Sequence, residues 1–153
     1  LEDLFKRIDD PKLDITKNDV LILRNAGPKG APGMPEAGYI PIPKKLAKLG
    51  VKDMVRISDG RMSGTASGTI VLHVCPEAAA GGNLNIVESG DIIKLDVYKR
   101  LIELKLTDNE IKLRHDNKKN KKSVKRRGYN KIFFDSVLQA DKGVDFDFLR
   151  PAK

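Results

Sequence analysis

The chain has no tryptophan, one cysteine and two histidines in 153 residues, and aromatic residues make up only 5% of it. A lone thiol, Cys75, excludes an internal disulfide, and it cannot by itself hold an iron-sulfur cluster, which takes several thiolates. A reducing, cytoplasmic setting is the expectation. Cys75 closes the apolar run Ile70-Val-Leu-His-Val-Cys75, in which it reads as a small buried hydrophobe and His73 as a satisfied core histidine. His115 lies far away in a basic stretch, so with no third ligand no zinc site follows. No segment approaches the roughly twenty apolar residues of a membrane span. The opening Leu1-Glu-Asp-Leu-Phe-Lys-Arg7 lacks the apolar centre of a signal peptide, so neither a membrane partner nor a secretory route is expected.

What is present suits one soluble domain: 40% hydrophobic residues, mostly Ile, Val and Leu, against 33% charged. The net charge of +8 is uneven, much of it falling in a basic run at 112–127. Clustered Lys and Arg can release counterions from phosphates. With no aromatic residue interleaved there is no sign of base stacking, so the run (112–128) reads as a solvated, linker-like segment and not as a nucleic-acid face.

Two loops carry the reactive oxygens. Three prolines and four glycines crowd residues 27–38, which excludes regular helix or interior strand and demands a loop of fixed φ values. A loop that is rigid although irregular, and that carries Glu36, suits ligation of a hard cation such as Mg²⁺. The second loop, Asp59-Gly-Arg-Met-Ser-Gly-Thr65, presents the hydroxyls of Ser63 and Thr65. Arg61 can bind a substrate carboxylate, although a loop arginine more often pairs with a neighbouring acid.

Short elements surround these loops. Residues 20–24 read as a buried strand feeding the Pro/Gly loop, 44–49 as a short helix opened by Pro43 and closed by Gly50, and 53–57 as a second strand. Each reactive loop thus follows a strand, which would gather their side chains at one edge of a sheet or barrel. Residues 69–74 read as a strand, with a helix opening within 76–80 as the alternative behind it. Segments 83–87, 91–97 and 100–106 follow as a meander of short strands. Thr107 and Glu110 form a capping box opening a helix that runs into the basic segment. Residues 129–139 fit a strand or a last helix.

Three blocks in order carry a resemblance: Leu23-Arg-Asn-Ala-Gly-Pro-Lys-Gly-Ala-Pro-Gly-Met-Pro-Glu36, Arg56-Ile-Ser-Asp-Gly-Arg-Met-Ser-Gly-Thr65 and Leu72-His-Val-Cys-Pro-Glu-Ala-Ala-Ala-Gly-Gly82. The chain resembles the dihydroxy-acid and sugar-acid dehydratases. Its ending, Val137-Leu-Gln-Ala-Asp-Lys-Gly-Val-Asp-Phe-Asp-Phe-Leu149, is similar to the pentonate (arabinonate/xylonate-type) branch.

The resemblance implies an α/β fold, a swivelling β/β/α-type β-barrel domain with flanking helices. It also implies that 1–153 is the C-terminal domain of a larger dehydratase whose cluster-binding N-terminal domain is absent. By motif position it places Ser63 on the base, Thr65 on the adjacent hydroxyl and Glu36 on a Mg²⁺ ligand. The iron-sulfur cluster would be held by residues outside this chain. The reaction implied is that of a hydro-lyase turning a 2,3-dihydroxy acid, such as an aldonate, into a 2-keto-3-deoxy acid. A cluster iron would act on the C3 hydroxyl, Mg²⁺ on the carboxylate end and a serine alkoxide on the C2 proton. The isolated domain would be inactive. Family members assemble as dimers or tetramers, so a homo-oligomer is expected beside the N-terminal domain as partner. The alternatives are a free-standing barrel that serves binding or assembly, and a dihydroxy-acid dehydratase of branched-chain amino acid synthesis.

Overall fold

The computed structural model describes residues 2–37, 39–64, 67–118 and 126–150. Its centre is a parallel sheet of three short strands, β1 (Leu21–Leu23), β2 (Arg56–Ser58) and β3 (Ile70–Val71), in the order β1-β2-β3. Leu21 pairs with Arg56 and Leu23 with Ser58; Arg56 pairs in turn with Ile70. Parallel strands are joined by crossovers that cover the faces of a sheet, so their apolar residues are buried on both sides. The side chains of β1 divide accordingly. Leu21 and Leu23 pack with Ala26, Ala37 and Ile40, whereas Ile22 joins Ile57, Ala78, Leu84 and Ile93 on the other side. The central strand β2 is wholly buried, with Ile57 at 0% exposure.

Helix α1 (Glu2–Arg7) precedes the sheet, and α2 (Lys44–Lys48) lies in the crossover from β1 to β2. Pro43 stands at its N-cap, where a missing N–H costs nothing, and Gly50 follows its end at φ 84°. An antiparallel hairpin, β4 (Ile93–Asp96) with β5 (Leu101–Leu104), is a separate two-stranded sheet. Helix α3 (Asp108–Lys118) opens with the expected capping box: Glu110 Oε2 accepts from the Thr107 amide at 2.8 Å, and Thr107 Oγ1 from the Glu110 amide at 3.3 Å. No residue of α3 is buried. It docks through polar groups, Arg114 donating to both oxygens of Asp91 and to the Ile86 carbonyl. Helix α4 (Gly128–Ser136) then leads into an extended segment in which Val137 bridges Phe146. Residues 119–125 of the basic run lie outside the described residues.

Several sequence expectations are corrected. The α/β class holds, but among the described residues the five strands form two separate sheets and not a closed barrel. Strands of two to four residues are too short to supply the continuous staggered ladder that closure needs. Segment 83–87 is a 3₁₀ turn, Asn83–Ile86, whose alternate burial of Leu84 and Ile86 imitates a strand. The strand in 69–74 stops at Val71, and His73 is exposed in a left-handed turn at φ 54°, so it is not a core histidine. Cys75 is half-buried, its thiol donating to the His73 carbonyl at 3.2 Å. The second strand begins three residues later than expected because Asp53 leaves the ladder to accept from Thr69 and Arg56. Of the two readings for 129–139, both apply in succession: helix to Ser136, then extended chain.

Candidate functional site

Because β1 and β2 are parallel neighbours, the loops that leave them emerge at the same edge of the sheet. Glu36 and Arg61 meet there as an isolated parallel bridge, extending the contact between the two loops beyond the strands. Arg61 Nη1 donates to Glu36 Oε1 at 2.9 Å, and Arg61 Nε donates to the Met34 carbonyl. Of the two readings left open for Arg61, pairing with an acid is the one the geometry displays. Glu36 and Ser63 line one open groove of about 510 Å³ with Tyr39, Ile42, Lys52, Arg56 and Ser67. Thr65 lies outside the described residues.

The Glu36 loop is irregular yet held at fixed points, as its composition predicts. Asp59, 1% exposed, accepts from the amides of Asn25 at 3.1 Å and of Ala26 and Ala78 at 2.9 Å. Glu77, equally buried, accepts from the amides of Lys29 and Gly30 and from Gln139 Nε2 at 2.7 Å. The Gln139 side chain closes the exchange by accepting from the Glu77 amide at 2.8 Å. Both carboxylates are thus satisfied by N–H donors, the condition under which a polar group is tolerated in the interior. Glycine makes these approaches possible: a Cβ on Gly27 would stand 2.6 Å from Glu77 Oε2.

The floor of the groove is built around Arg56, whose side chain is 3% exposed. Its Nη1 donates to the Ile40 carbonyl and its Nη2 to the Ser67 carbonyl and to Asp53. The guanidinium also lies 5.8 Å from the ring centroid of Tyr39. Donation from the Thr69 hydroxyl and amide, with Arg56 beside it, holds the Asp53 carboxyl below its usual range. Sequence reading missed Tyr39, Lys52, Arg56 and Ser67 as groove residues, and Asp59, Glu77 and Gln139 as its braces. Arg56 and Asp59 sat within a block quoted for its hydroxyls. Glu77 and Gln139, 62 residues apart, carry no local signal of their pairing.

Among the described residues no group of three or more His, Cys, Asp or Glu side chains could enclose a metal ion. Glu36 is a half-exposed carboxylate on a braced loop and fits as one oxygen ligand of a hard cation completed from elsewhere. An iron-sulfur cluster does not fit the donors of this chain, whose single thiol is Cys75. No described helix is long and apolar enough to cross a membrane.

The family model described as dihydroxy-acid/6-phosphogluconate dehydratase C-terminal matches residues 1–144. A 6-deoxy-6-sulfo-D-gluconate dehydratase of Pseudomonas putida is 50% identical over 97% of this chain and 26% of its own length. An L-arabonate dehydratase of Azospirillum brasilense is 49% identical over 93% of this chain and 25% of its own. A dihydroxy-acid dehydratase of Caldanaerobacter subterraneus subsp. tengcongensis is 42% identical over 86% of this chain and 24% of its own. The chain therefore spans about a quarter of the length of these relatives. With nearly its whole length matched by the family model, it belongs to the dihydroxy-acid/6-phosphogluconate dehydratase family, as that family's C-terminal domain.

Proposed function

We propose that this domain supplies one wall of the active site of a sugar-acid dehydratase, a hydro-lyase converting an aldonate-type 2,3-dihydroxy acid into a 2-keto-3-deoxy acid. The observation that carries the reading is the convergence of Glu36 and Ser63 on one groove from two adjacent parallel strands. Sugar-acid dehydratases match at 45–50% identity and dihydroxy-acid dehydratases at 40–42%, which favours a polyhydroxylated substrate.

In this reading the Ser63 Oγ alkoxide takes the C2 proton, the C3 hydroxyl departs as hydroxide and becomes water by taking that proton back from the Ser63 hydroxyl, and the resulting enol tautomerises to the 2-keto acid. A serine hydroxyl is a poor base near neutral pH, so positive charge beside it is required to lower its pKa. Mg²⁺, ligated in part by Glu36, would supply that charge and hold the substrate's carboxylate end. Lys52 on the groove wall adds a cation facing an anionic substrate, while Arg56 is committed to shaping the floor. Thr65, two residues beyond Ser63 in the chain, is assigned the second hydroxyl. The remaining ligands and the other wall come from protein outside this chain, an N-terminal domain in a cytoplasmic homo-oligomer.

The test is 2-keto acid formation from a panel of aldonates, assayed anaerobically with iron and Mg²⁺ on the longest reading frame that encodes this chain. Ser63→Ala is expected to abolish turnover in a protein that still unfolds cooperatively. Turnover by Ser63→Ala equal to that of its parent would remove the base assignment and this function with it.

A further inference from the structure

Asp59 and Gly60 stand at the root of the Ser63 loop, yet most of what they touch belongs to the Glu36 loop or the turn at Ala78. Asp59 Oδ2 accepts from Asn25 and Ala78, and its Oδ1 from Ala26. A single buried carboxylate therefore joins the first residues of one reactive loop, the first residue of the other, and the turn following Cys75-Pro76. Gly60 is fixed from both sides, its amide donating to Ser58 Oγ at 2.9 Å and its carbonyl accepting from the His73 amide at 3.1 Å. A Cβ built on Gly60 would lie 2.8 Å from the Ala26 Cβ and 3.3 Å from the Ala26 carbonyl oxygen. The two loops thus leave the sheet in backbone contact, with no room for one added carbon atom.

We infer that Asp59 and Gly60 are positioning residues that set the separation between Glu36 and Ser63, and with it the alignment of proton acceptor and metal ligand. Neither lines the groove, so neither meets substrate. They act through the loops they hold together. A carboxylate suits this place because both its oxygens accept, whereas an amide would turn one NH₂ toward the amide of Ala26 or those of Asn25 and Ala78. Gly60 suits it because the contact leaves space for hydrogen alone. The inference rests on the proposed function, since it gives a role to residues that align its two reactive groups.

Two variants change the same separation by unrelated means. Asp59→Asn breaks the electrostatic tie, and Gly60→Ala wedges the loops apart without touching any charge. In the full-length enzyme each is expected to lower kcat by about 10- to 100-fold, the effect of roughly 1 Å of misplacement, with a smaller change in KM. Mn²⁺, used as a paramagnetic stand-in for Mg²⁺ and followed by the loss of the free-ion EPR signal, should bind several-fold more weakly in both. Ala26→Gly combined with Gly60→Ala removes the 2.8 Å methyl clash, leaves contacts of 3.2 Å to Ser58 Oγ and 3.3 Å to the residue 26 carbonyl oxygen, and should recover much of the lost kcat and Mn²⁺ affinity. Ile86→Val, which trims a fully buried side chain outside the groove, should lower the thermal midpoint and leave kcat and Mn²⁺ binding intact.

If Gly60→Ala or a folded Asp59→Asn keeps kcat and Mn²⁺ affinity within about twofold of the parent, the positioning role is overturned. Failure of Ala26→Gly to rescue Gly60→Ala overturns it equally. Retained activity in Ser63→Ala would instead sink the proposed function, so the two failures are read from different variants.

Discussion

Arg61 reaches from the loop after β2 to the loop after β1 and places Nη1 2.9 Å from Glu36 Oε1, while its Nε is held by the Met34 carbonyl. The pair spans the gap between the two reactive loops on the solvent side, opposite the buried tie made by Asp59. With side-chain exposures of 44% and 49%, it lies in water, where Coulomb attraction is screened and side-chain entropy opposes it.

A double-mutant cycle on Arg61→Ala and Glu36→Ala should therefore give a coupling energy below about 1 kcal/mol, read from urea midpoints, and falling further in high salt. So weak a pair leaves Glu36 free to exchange its arginine for a metal ion. A coupling of several kcal/mol that resists salt would mean that Glu36 is locked to Arg61 and unsuited to ligation.

Packing against Glu77 makes Gly27 far less replaceable than Gly33. An added methyl group at Gly27 lands 2.6 Å from Glu77 Oε2, and moving that carboxylate would strip the Lys29 and Gly30 amides of their acceptor. Gly27→Ala is expected to cost about 3 kcal/mol, summing overpacking and orphaned donors. Gly33 has φ 83° but open space around it, so Gly33→Ala meets backbone strain alone, about 1 kcal/mol. Thermal unfolding of the two variants side by side checks the order.

Acid should unfold the docking of α3 in a defined window. The Arg114 guanidinium donates to both oxygens of Asp91 and, with the Glu88 amide, holds its carboxyl below the usual range despite burial. A carboxyl depressed in the folded state contributes stability that is fully present above the unfolded pKa, near pH 4, and is lost as pH falls through the lower folded value. Arg114 is itself raised and stays charged throughout, so it adds no transition of its own. Urea midpoints followed downward from about pH 6 should decline below pH 4. The decline should be shallower in Asp91→Asn, which starts from lower stability. Parallel curves for the two proteins would show that Asp91 is not part of the acid response.

How far the sequence reached can be judged residue by residue. Pro43 and Gly50 bracket α2, and Thr107 with Glu110 opens α3, because caps and turns are decided by neighbours three or four positions apart. The apolar run at 20–24 gave β1 for the same reason. Segment 83–87 failed as a strand because alternate burial of Leu84 and Ile86 is also produced by a 3₁₀ turn pressed against the core. His73 failed as a core residue because its left-handed backbone turns it out of the apolar run in which it is written.

The sequence by itself determined the rigid Pro/Gly loop, the two loops that carry Glu36 and Ser63, and the family, since each rests on residue types in local order. Only the tertiary structure decided that Arg61 faces Glu36, that Asp59 ties both loops together, and that Gln139 braces Glu77 from 62 residues away. Those contacts depend on the parallel pairing of β1 with β2 and on the return of the chain after α4. Contacts between residues distant in the chain are fixed by packing and by the burial of polar groups that must find partners, and neither leaves a periodic mark in the sequence.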